Sequence, residues 1–287
     1  MCLKEKYASS KILHVKSLDI QITERCSLKC KDCSNLMQYY EKPQHSELSS
    51  MFKSIDRFMQ AVDAIYEFRV LGGDPFMSKD LHKVIERLKT YEKVKKIVIY
   101  TNAKIIPKGD NLNCLKNNDK VILDIANYGI VSSIHEELIK VLDENQIKYA
   151  TTRYVNWQDC GRILPYQERT KEETKRVFHN CCNSDLISLL HGKLYRCPFS
   201  ANATNLKAIP DDKSDIVDML DENIAIEDLR EQIRNLVYDK DSLTACSYCN
   251  GRDYSVKVIN AAEQTKKPLS YKKNDEESSQ VTEQLNI

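Results

Sequence analysis

Three closely spaced cysteines directly after an apolar, alternating stretch constrain this chain more than any other feature of its sequence. Cys26, Cys30 and Cys33 form a CxxxCxxC loop that follows the strand-like run 17–23. Three thiolates at this spacing suit a 4Fe–4S cubane in which one iron lacks a protein ligand. A structural zinc site usually takes four ligands, often from paired CxxC turns. The loop therefore predicts an iron–sulfur cluster with one iron open to another ligand.

A second motif gives this loop a family context. The loop resembles the CxxxCxΦC signature of the radical S-adenosylmethionine (SAM) superfamily, and the run Val-Leu-Gly-Gly-Asp-Pro-Phe resembles the family's GGE-P motif. The resemblance implies that Gly72, Gly73 and Asp74 hold the ammonium group of SAM. Two positions depart from the family pattern: Asp32 stands where an aromatic residue is usual, and Asp74 replaces the commoner Glu.

Two further turns extend the resemblance. Thr101 and Asn102 resemble the family's TNG turn, and the run Ile-Ala-Asn-Tyr-Gly lies where relatives often place a serine that contacts SAM. Ala126 replaces that serine, so the resemblance makes Asn127 the candidate polar contact. Both segments are equally compatible with ordinary turns between a strand and a loop.

A second group of cysteines predicts another metal centre. His191-Gly192 separates two apolar alternating runs and signals a hairpin, because glycine tolerates a positive φ. The candidate ligands around it are Cys181 or Cys182, Cys197, Cys246 and Cys249. The arrangement resembles the Twitch domain, a shortened SPASM domain, which implies one auxiliary 4Fe–4S cluster. Four thiolates also suit zinc, which remains the alternative.

Cys181 and Cys182 cannot both serve this centre, because adjacent residues of a strand point to opposite faces. The spacing favours Cys181, while Cys182 stays a candidate. Cys2, Cys114 and Cys160 have no partner pattern in the sequence.

Alternating strand and helix patterns predict an α/β fold. Examples are the strand at 17–23, a helix at 48–66 and a buried strand at 68–71. Such alternation implies parallel strands with right-handed crossovers, in a doubly wound sheet or a barrel. The resemblance selects a partial (β/α)6 radical SAM barrel followed by a small α+β Twitch-type domain. The predicted divisions are an N-terminal extension (1–16), the barrel (17–165), the auxiliary domain (166–263) and a disordered tail (264–287).

Composition excludes several classes of partner. The 287 residues carry 43 basic and 42 acidic side chains, a net charge of +1, with no basic block. Nucleic acid and membrane surfaces are therefore not expected partners. Eight of the eleven cysteines fall in the two groups with metal-ligand spacings, and no secretory signal is evident. These features predict a reducing, cytoplasmic location.

Polar residues near the predicted ends of the fifth and sixth strands are candidates for substrate contact. They are Arg153, Tyr154, Trp157, Asp159 and Arg162. An arginine at such a place suits a phosphate or a carboxylate, although a solvated surface arginine is an equally ordinary interpretation. Arg153, Asp159 and Cys160 are the candidate catalytic residues.

The resemblance implies an oxidoreductase with two 4Fe–4S clusters and SAM. A 5′-deoxyadenosyl radical would take hydrogen from a small hydroxylated substrate: a sugar, an aminocyclitol or a nucleotide-linked sugar. An electron donor of the flavodoxin or ferredoxin type is the expected protein partner. Weaker resemblances point to aminocyclitol dehydrogenases and to radical SAM proteins of surface-polysaccharide gene clusters.

Three alternatives remain open at this point. The chain could be a maturase of a ribosomal peptide, or a sugar epimerase in which Cys160 returns a hydrogen atom. It could also be a non-enzymic zinc or iron–sulfur scaffold. The last has no need of a SAM site, so Gly72, Gly73 and Asp74 argue against it.

Overall fold

A computed structural model describes residues 11–253 and 255–274. The strands are β1 (His14–Thr23), β2 (Ala64–Gly72), β3 (Val94–Thr101), β4 (Val121–Asn127), β5 (Tyr149–Arg153), β6 (Asn156–Gln158), β7 (Ile187–Leu190), β8 (Lys193–Tyr195), β9 (Ile216–Asp218) and β10 (Val258–Asn260). The helices are α1 (Leu48–Ala61), α2 (Leu81–Lys89), α3 (Asp110–Asn113), α4 (His135–Glu144), α5 (Lys171–Asn180), α6 (Pro198–Asn205) and α7 (Ile226–Arg234). No helix of this described part is long and apolar enough to cross a membrane.

An eight-stranded sheet in the order β5-β4-β3-β2-β1-β7-β8-β9 organises the fold. The strands from β5 to β7 in this order run parallel, and the hairpin β7–β8 and strand β9 add antiparallel pairs. The mostly parallel sheet with connecting helices confirms the predicted α/β class. Because parallel strands end at the same edge of a sheet, the loops after β1 to β5 and after β7 share one rim.

The two faces of the sheet differ in chemistry. On β1, Leu18 and Ile20 are fully buried in the core formed with the helices, whereas the alternate positions are polar. On that polar face Asp19 pairs with Arg69 of β2 at 3.2 Å between Oδ1 and Nε. Burial raises the pKa of Asp19 to about 6, although the nearby guanidinium opposes the rise. The helices therefore cover one face, and charged side chains occupy the other.

The path of the chain differs from the sequence prediction in three places. The sixth parallel strand, β7, joins the sheet beside β1 instead of following β5, while β6 pairs with β10 in a separate two-stranded sheet. The hairpin predicted for an auxiliary domain thus continues the main sheet. The helix predicted at 48–66 ends at Ala61, because the β-branched and aromatic residues that follow belong to β2.

Residues 264–274 are ordered against the body of the chain, which corrects the predicted tail over this stretch. The amide N–H of Leu269 donates to the carbonyl of Gln38 at 2.8 Å. The Tyr271 ring packs edge-on against Tyr39, with centroids 5.5 Å apart. Apolar and aromatic contacts therefore hold a segment whose composition is mostly polar. Residues 275–287 of the predicted tail lie outside the described residues.

Two glycines let the end of β2 pass unusually close to the end of β1. A Cβ atom on Gly72, whose φ is +143°, would lie 2.1 Å from the carbonyl oxygen of Thr23. A Cβ atom on Gly73 would lie 2.1 Å from the carbonyl oxygen of Arg25 and 2.9 Å from the Cβ atom of Cys26. Only glycine fits this approach, which presses the two loops together at the rim.

We predict that Gly73→Ala lowers the free energy of unfolding by about 3 kcal/mol or more, because a backbone carbonyl would have to move. Gly109→Ala is the matched control: its φ is +54° but nothing lies within 4 Å of the added methyl group. We expect it to cost only about 1 kcal/mol of backbone strain. Urea unfolding followed by circular dichroism measures both values. Equal losses would contradict the close approach.

Candidate active site

The cysteine loop after β1 is enclosed by glycine backbones on two sides. Gly73 packs on one side, as described above. On the other side, a Cβ atom on Gly161 would lie 2.1 Å from the carbonyl oxygen of Asp32. Cys30 is buried, and Cys26 and Cys33 are partly buried. The loop therefore has a fixed course, and its three sulfurs face a common region at the rim of the sheet.

Hydrogen-bond donors point at the sulfur atoms of this loop. Cys26 Sγ accepts from the backbone N–H of Leu28 and from the side-chain amide of Asn102, both at 3.4 Å. Cys30 Sγ accepts from the side-chain amide of Gln264 at 3.2 Å. Cys33 accepts from the backbone amides of residues 37 and 35. Such donors stabilise the negative charge of metal-bound thiolates and tune iron–sulfur clusters.

Burial works against thiolates at this site when no metal is bound. It raises the pKa of Cys30 to about 12, with the neighbouring Cys33 adding to the rise, and it raises the pKa of Cys26 as well. A bound cation reverses this effect, because it displaces the thiol protons. Three buried or partly buried thiols that receive N–H donors therefore fit an iron–sulfur cluster.

Asp74 is a structural link between β2 and β3. The side chain is fully buried and accepts three hydrogen bonds. Its Oδ1 accepts from the N–H of Phe76 at 3.0 Å, and its Oδ2 accepts from Thr101 Oγ1 at 2.9 Å and from the N–H of Asn102 at 3.1 Å. Three predicted SAM-site residues, Asp74, Thr101 and Asn102, are thus joined directly. Through Asn102, this network reaches the sulfur of Cys26.

Ser132 connects the β4 loop to the same network. Its hydroxyl donates to the carbonyl of Asn102 at 2.8 Å and accepts from the N–H of Tyr128 at 2.9 Å. Asn127 instead closes its own turn, where its Oδ1 accepts from the N–H of Gly129 at 2.8 Å. Ser132, and not Asn127, therefore joins the β4 loop to Asn102, and the expected contact of Asn127 with SAM stays a prediction.

Asp32, the atypical residue between the cysteines, forms an ion pair with Arg162. The carboxylate is 8 % exposed, so the pair is largely shielded from water. Nearby, the N–H of Ile163 donates to the hydroxyl of Tyr39 at 3.2 Å. These contacts fasten the cysteine loop to the segment after β6. Arg162, a candidate for substrate contact, is thereby given a partner within the chain.

The second group of cysteines surrounds one cavity. The thiol-bearing residues that line it are Cys160, Cys181, Cys197, Cys246 and Cys249. Cys182 is exposed, and its Sγ lies 3.7 Å from Asn183 Oδ1. The structure therefore brings Cys181 together with the hairpin and CxxC cysteines and turns Cys182 away. Within residues 11–253 and 255–274, no three His, Cys, Asp or Glu side chains are arranged as a single-ion site.

The cavity resembles the first site in that N–H groups donate hydrogen bonds to cysteine sulfurs. The backbone N–H groups of Ser200 and Gly251 donate to Cys197 Sγ at 3.3 Å and to Cys249 Sγ at 3.4 Å. Burial raises the pKa of Cys197 to about 12. The Arg169 guanidinium donates to the carbonyls of Cys246 and Cys249, which fixes the CxxC turn. Four buried or partly buried thiols around one cavity, two of which accept N–H donors, fit a metal centre here too.

The three candidate catalytic residues differ in their surroundings. Cys160 is buried beside the Arg252 guanidinium, close enough to Cys33 and Cys249 to influence the pKa of each thiol. Arg153 is exposed at the end of β5. Asp159 is held through its backbone, with its N–H donating to the carbonyl of Lys257 at 2.8 Å. Only Cys160 is located between the two groups of thiols.

Sequence reasoning missed Gln264, Ser132 and Arg169. Gln264 lay in a segment predicted to be disordered, and the other two carry no motif of their own. A serine a few residues after the Asn-Tyr-Gly turn was a usable signal, because short hydroxyl side chains often fasten such turns.

Comparison with known proteins begins with a family model described as a 4Fe-4S single cluster domain, which matches residues 20–139. The GTP 3′,8-cyclase of Sulfurovum sp. (strain NBC37-1) is 27% identical over 96 residues, 33% of this chain and 29% of the relative. The mitochondrial GTP 3′,8-cyclase of Arabidopsis thaliana is 30% identical over 93 residues, 32% of this chain and 23% of the relative. These alignments span less than a third of either relative.

Two solved structures are similar in part. BtrN in complex with AdoMet and 2-DOIA is 13% identical, with a TM-score of 0.48, over 89% of this chain and 98% of that chain. Streptococcus suis SuiB bound to S-adenosylmethionine is 18% identical, with a TM-score of 0.41, over 61% of this chain and 40% of that chain. The CxxxCxxC loop, the matching 4Fe–4S family model and the cyclase relatives support a relationship to the radical SAM superfamily.

Proposed function

We propose that the chain is a radical SAM oxidoreductase that oxidises a hydroxyl-bearing carbon of a small substrate with the help of an auxiliary 4Fe–4S cluster. The observation that carries this proposal is the second cavity, whose lining includes Cys181, Cys197, Cys246 and Cys249 but none of the three cysteines of the first loop. In a radical enzyme, a second cluster whose irons are all bound by cysteine can accept the second electron that oxidation of the substrate releases.

At the first site, a 4Fe–4S cluster with SAM supplies hydrogen-atom abstraction from an unactivated C–H bond. Cys26, Cys30 and Cys33 would hold this cluster. Asn102 orients the Cys26 sulfur through its amide, and Asp74 fixes the Asn102 backbone. The backbone at 72–74 forms the adjoining turn, where the resemblance expects the SAM ammonium. The protein's task is to keep these groups rigid and exclude water from the radical.

At the second site, Cys181, Cys197, Cys246 and Cys249 would hold a cluster, which would supply an electron acceptor. An alcohol carbon that has lost a hydrogen atom becomes a carbonyl by losing one proton and one electron. The proton goes to a base or to water, and the electron leaves through the protein. A flavodoxin- or ferredoxin-type donor would provide the initiating electron. A reducing cytoplasm suits thiolate ligands of both sites.

Epimerisation is the second candidate, and the position of Cys160 favours it. This thiol is buried between the two groups of cysteines, beside the Arg252 guanidinium. A thiol there could return a hydrogen atom to the substrate carbon from the opposite face. The two reactions differ in where the hydrogen on the product carbon comes from.

We predict that anaerobically reconstituted protein holds about eight iron and eight sulfide per chain, as two 4Fe–4S clusters require. Cys181→Ser should reduce the iron to about four, while the matched control Cys182→Ser should leave it unchanged, because only Cys181 lines the cavity. Replacing Cys26, Cys30 and Cys33 together with Ala should leave about four iron and abolish reductive SAM cleavage. Wild-type protein with four iron and one zinc would remove the auxiliary cluster.

Asp74→Ala should weaken SAM binding about tenfold to hundredfold, because the Asn102 and Phe76 amides and the Thr101 hydroxyl lose a charged acceptor. Iron content should change less, since the carboxylate does not contact a cysteine. Thr101→Val removes one of the three donors and should have a smaller effect. Equilibrium dialysis with radiolabelled SAM measures these affinities. An unchanged dissociation constant in Asp74→Ala would show that the turn does not shape the SAM site.

Turnover in deuterated water separates the two reactions. Oxidation should give a carbonyl product and an equal amount of 5′-deoxyadenosine, with no solvent deuterium on the reacting carbon. Mass spectrometry of the product makes the measurement. Deuterium on that carbon that disappears in Cys160→Ser would establish epimerisation in place of oxidation.

A further inference from the structure

Three aromatic side chains lie together beyond the ends of β4 and β5. The Tyr128 ring meets Trp157 edge-on, with centroids 5.5 Å apart and planes at 90°. Its centroid lies 6.0 Å from that of Tyr154. We call Tyr128, Tyr154 and Trp157 the aromatic group. Such pairs stabilise one another, but burial of the rings is incomplete, with Tyr154 39 % exposed.

The aromatic group borders the first cysteine loop. The Tyr128 phenol is close enough to Cys26, Cys30 and Cys33 for all three to act on its pKa, which burial raises. The backbone of Tyr128 is fixed by Ser132, which also holds Asn102. The backbone of Tyr128 is therefore joined through Ser132 and Asn102 to the Cys26 sulfur, whereas the Tyr154 ring is partly exposed. A ligand lying across the aromatic group would extend toward the cysteine loop.

Arg153 places a positive charge beside these rings. Its guanidinium lies against the turn after β4, where a Cβ atom on Gly129 would be 2.4 Å from the Arg153 Nη2. The Nη1 atom is 3.4 Å from Asn127 Oδ1. Arg153 is exposed, and the ion pairs found among the described residues do not include it. The guanidinium is therefore available to an anion that approaches the rim.

The combination of aromatic faces and a guanidinium limits the classes of ligand that can use both features. Aromatic faces stack on nucleobases irrespective of sequence, and guanidinium groups pair with phosphates in bidentate fashion. A neutral sugar has no anionic group to pair with the guanidinium. SAM has a base and a carboxylate, but the resemblance expects its methionine end at residues 72–74. A nucleoside diphosphate has a counterpart for each feature.

We propose that the aromatic group and Arg153 bind the nucleoside diphosphate of a nucleotide-linked sugar. The base stacks on the aromatic group, the diphosphate pairs with Arg153, and the sugar extends to the first cysteine loop. This inference rests on the proposed function and selects one substrate class within it.

The test uses anaerobically reconstituted protein saturated with SAM. Isothermal titration calorimetry compares UDP, GDP, CDP and dTDP with the corresponding nucleosides. We expect at least one diphosphate to bind about tenfold to hundredfold more tightly than its nucleoside, as charge-assisted hydrogen bonds imply. Trp157 is the single tryptophan of the chain, so its emission should change on binding.

Two variants separate the contributions. Arg153→Met should bring the affinity for the diphosphate down to that for the nucleoside, whereas Tyr154→Leu should weaken both ligands. Arg176→Met, at an exposed position in α5, is the matched control and should change neither affinity. Circular dichroism checks that each variant is folded.

The inference is overturned if none of the four diphosphates binds, or if Arg153→Met leaves the preference for the diphosphate intact. Reductive SAM cleavage is measured on the same samples. Cleavage without nucleotide binding would reject this substrate class and leave the proposed function standing. Absence of reductive SAM cleavage by the wild-type protein would reject the proposed function itself.

Discussion

The contact between the backbone at Gly72–Gly73 and the end of β1 determines where the rest of the site can lie. The carbonyls of Thr23 and Arg25 occupy the space that any side chain at these two positions would need. Since the cysteine loop begins at the next residue, the contact brings the β2 turn to the first sulfur. Asp74, the next residue, fixes the end of β3 relative to this turn by accepting hydrogen bonds from Thr101 and Asn102. One steric requirement thus aligns three strands at the rim.

The two cysteine sites share one chemical environment and differ in how they are closed. Both bury thiols among apolar residues and both direct N–H donors at sulfur. The first site has three cysteines on one short loop, so a cubane bound there keeps an open iron. The second has five cysteines around a cavity, namely Cys160, Cys181, Cys197, Cys246 and Cys249. Under the proposed function, the first would bind another molecule and the second would pass electrons.

The sequence was most informative where one local segment contains the whole pattern. The cysteine loop, the Gly-Gly-Asp turn and the alternation of strands and helices follow from short-range spacing, and the α/β class followed from them. Contacts between distant segments carried no such signal. The pairing of β7 with β1, the Ser132 hydroxyl link and the packing of residues 264–274 depend on tertiary geometry. The polar composition of residues 264–274 led to the prediction of disorder there. In the structure, Leu269 and Tyr271 contact the body of the chain, and the average polarity of the segment gives no sign of these two contacts.

Gln264 has a consequence for how the protein is made. Its amide donates to Cys30 although 234 residues separate the two positions, and Thr265 bonds to the carbonyl of Lys29 at 2.8 Å. During synthesis the cysteine loop is therefore translated well before residues 264 and 265, which cover it. A nascent chain can present its three thiols to the cell's cluster-assembly machinery before this cover exists. Closure of these two residues over the loop would then come after metal delivery.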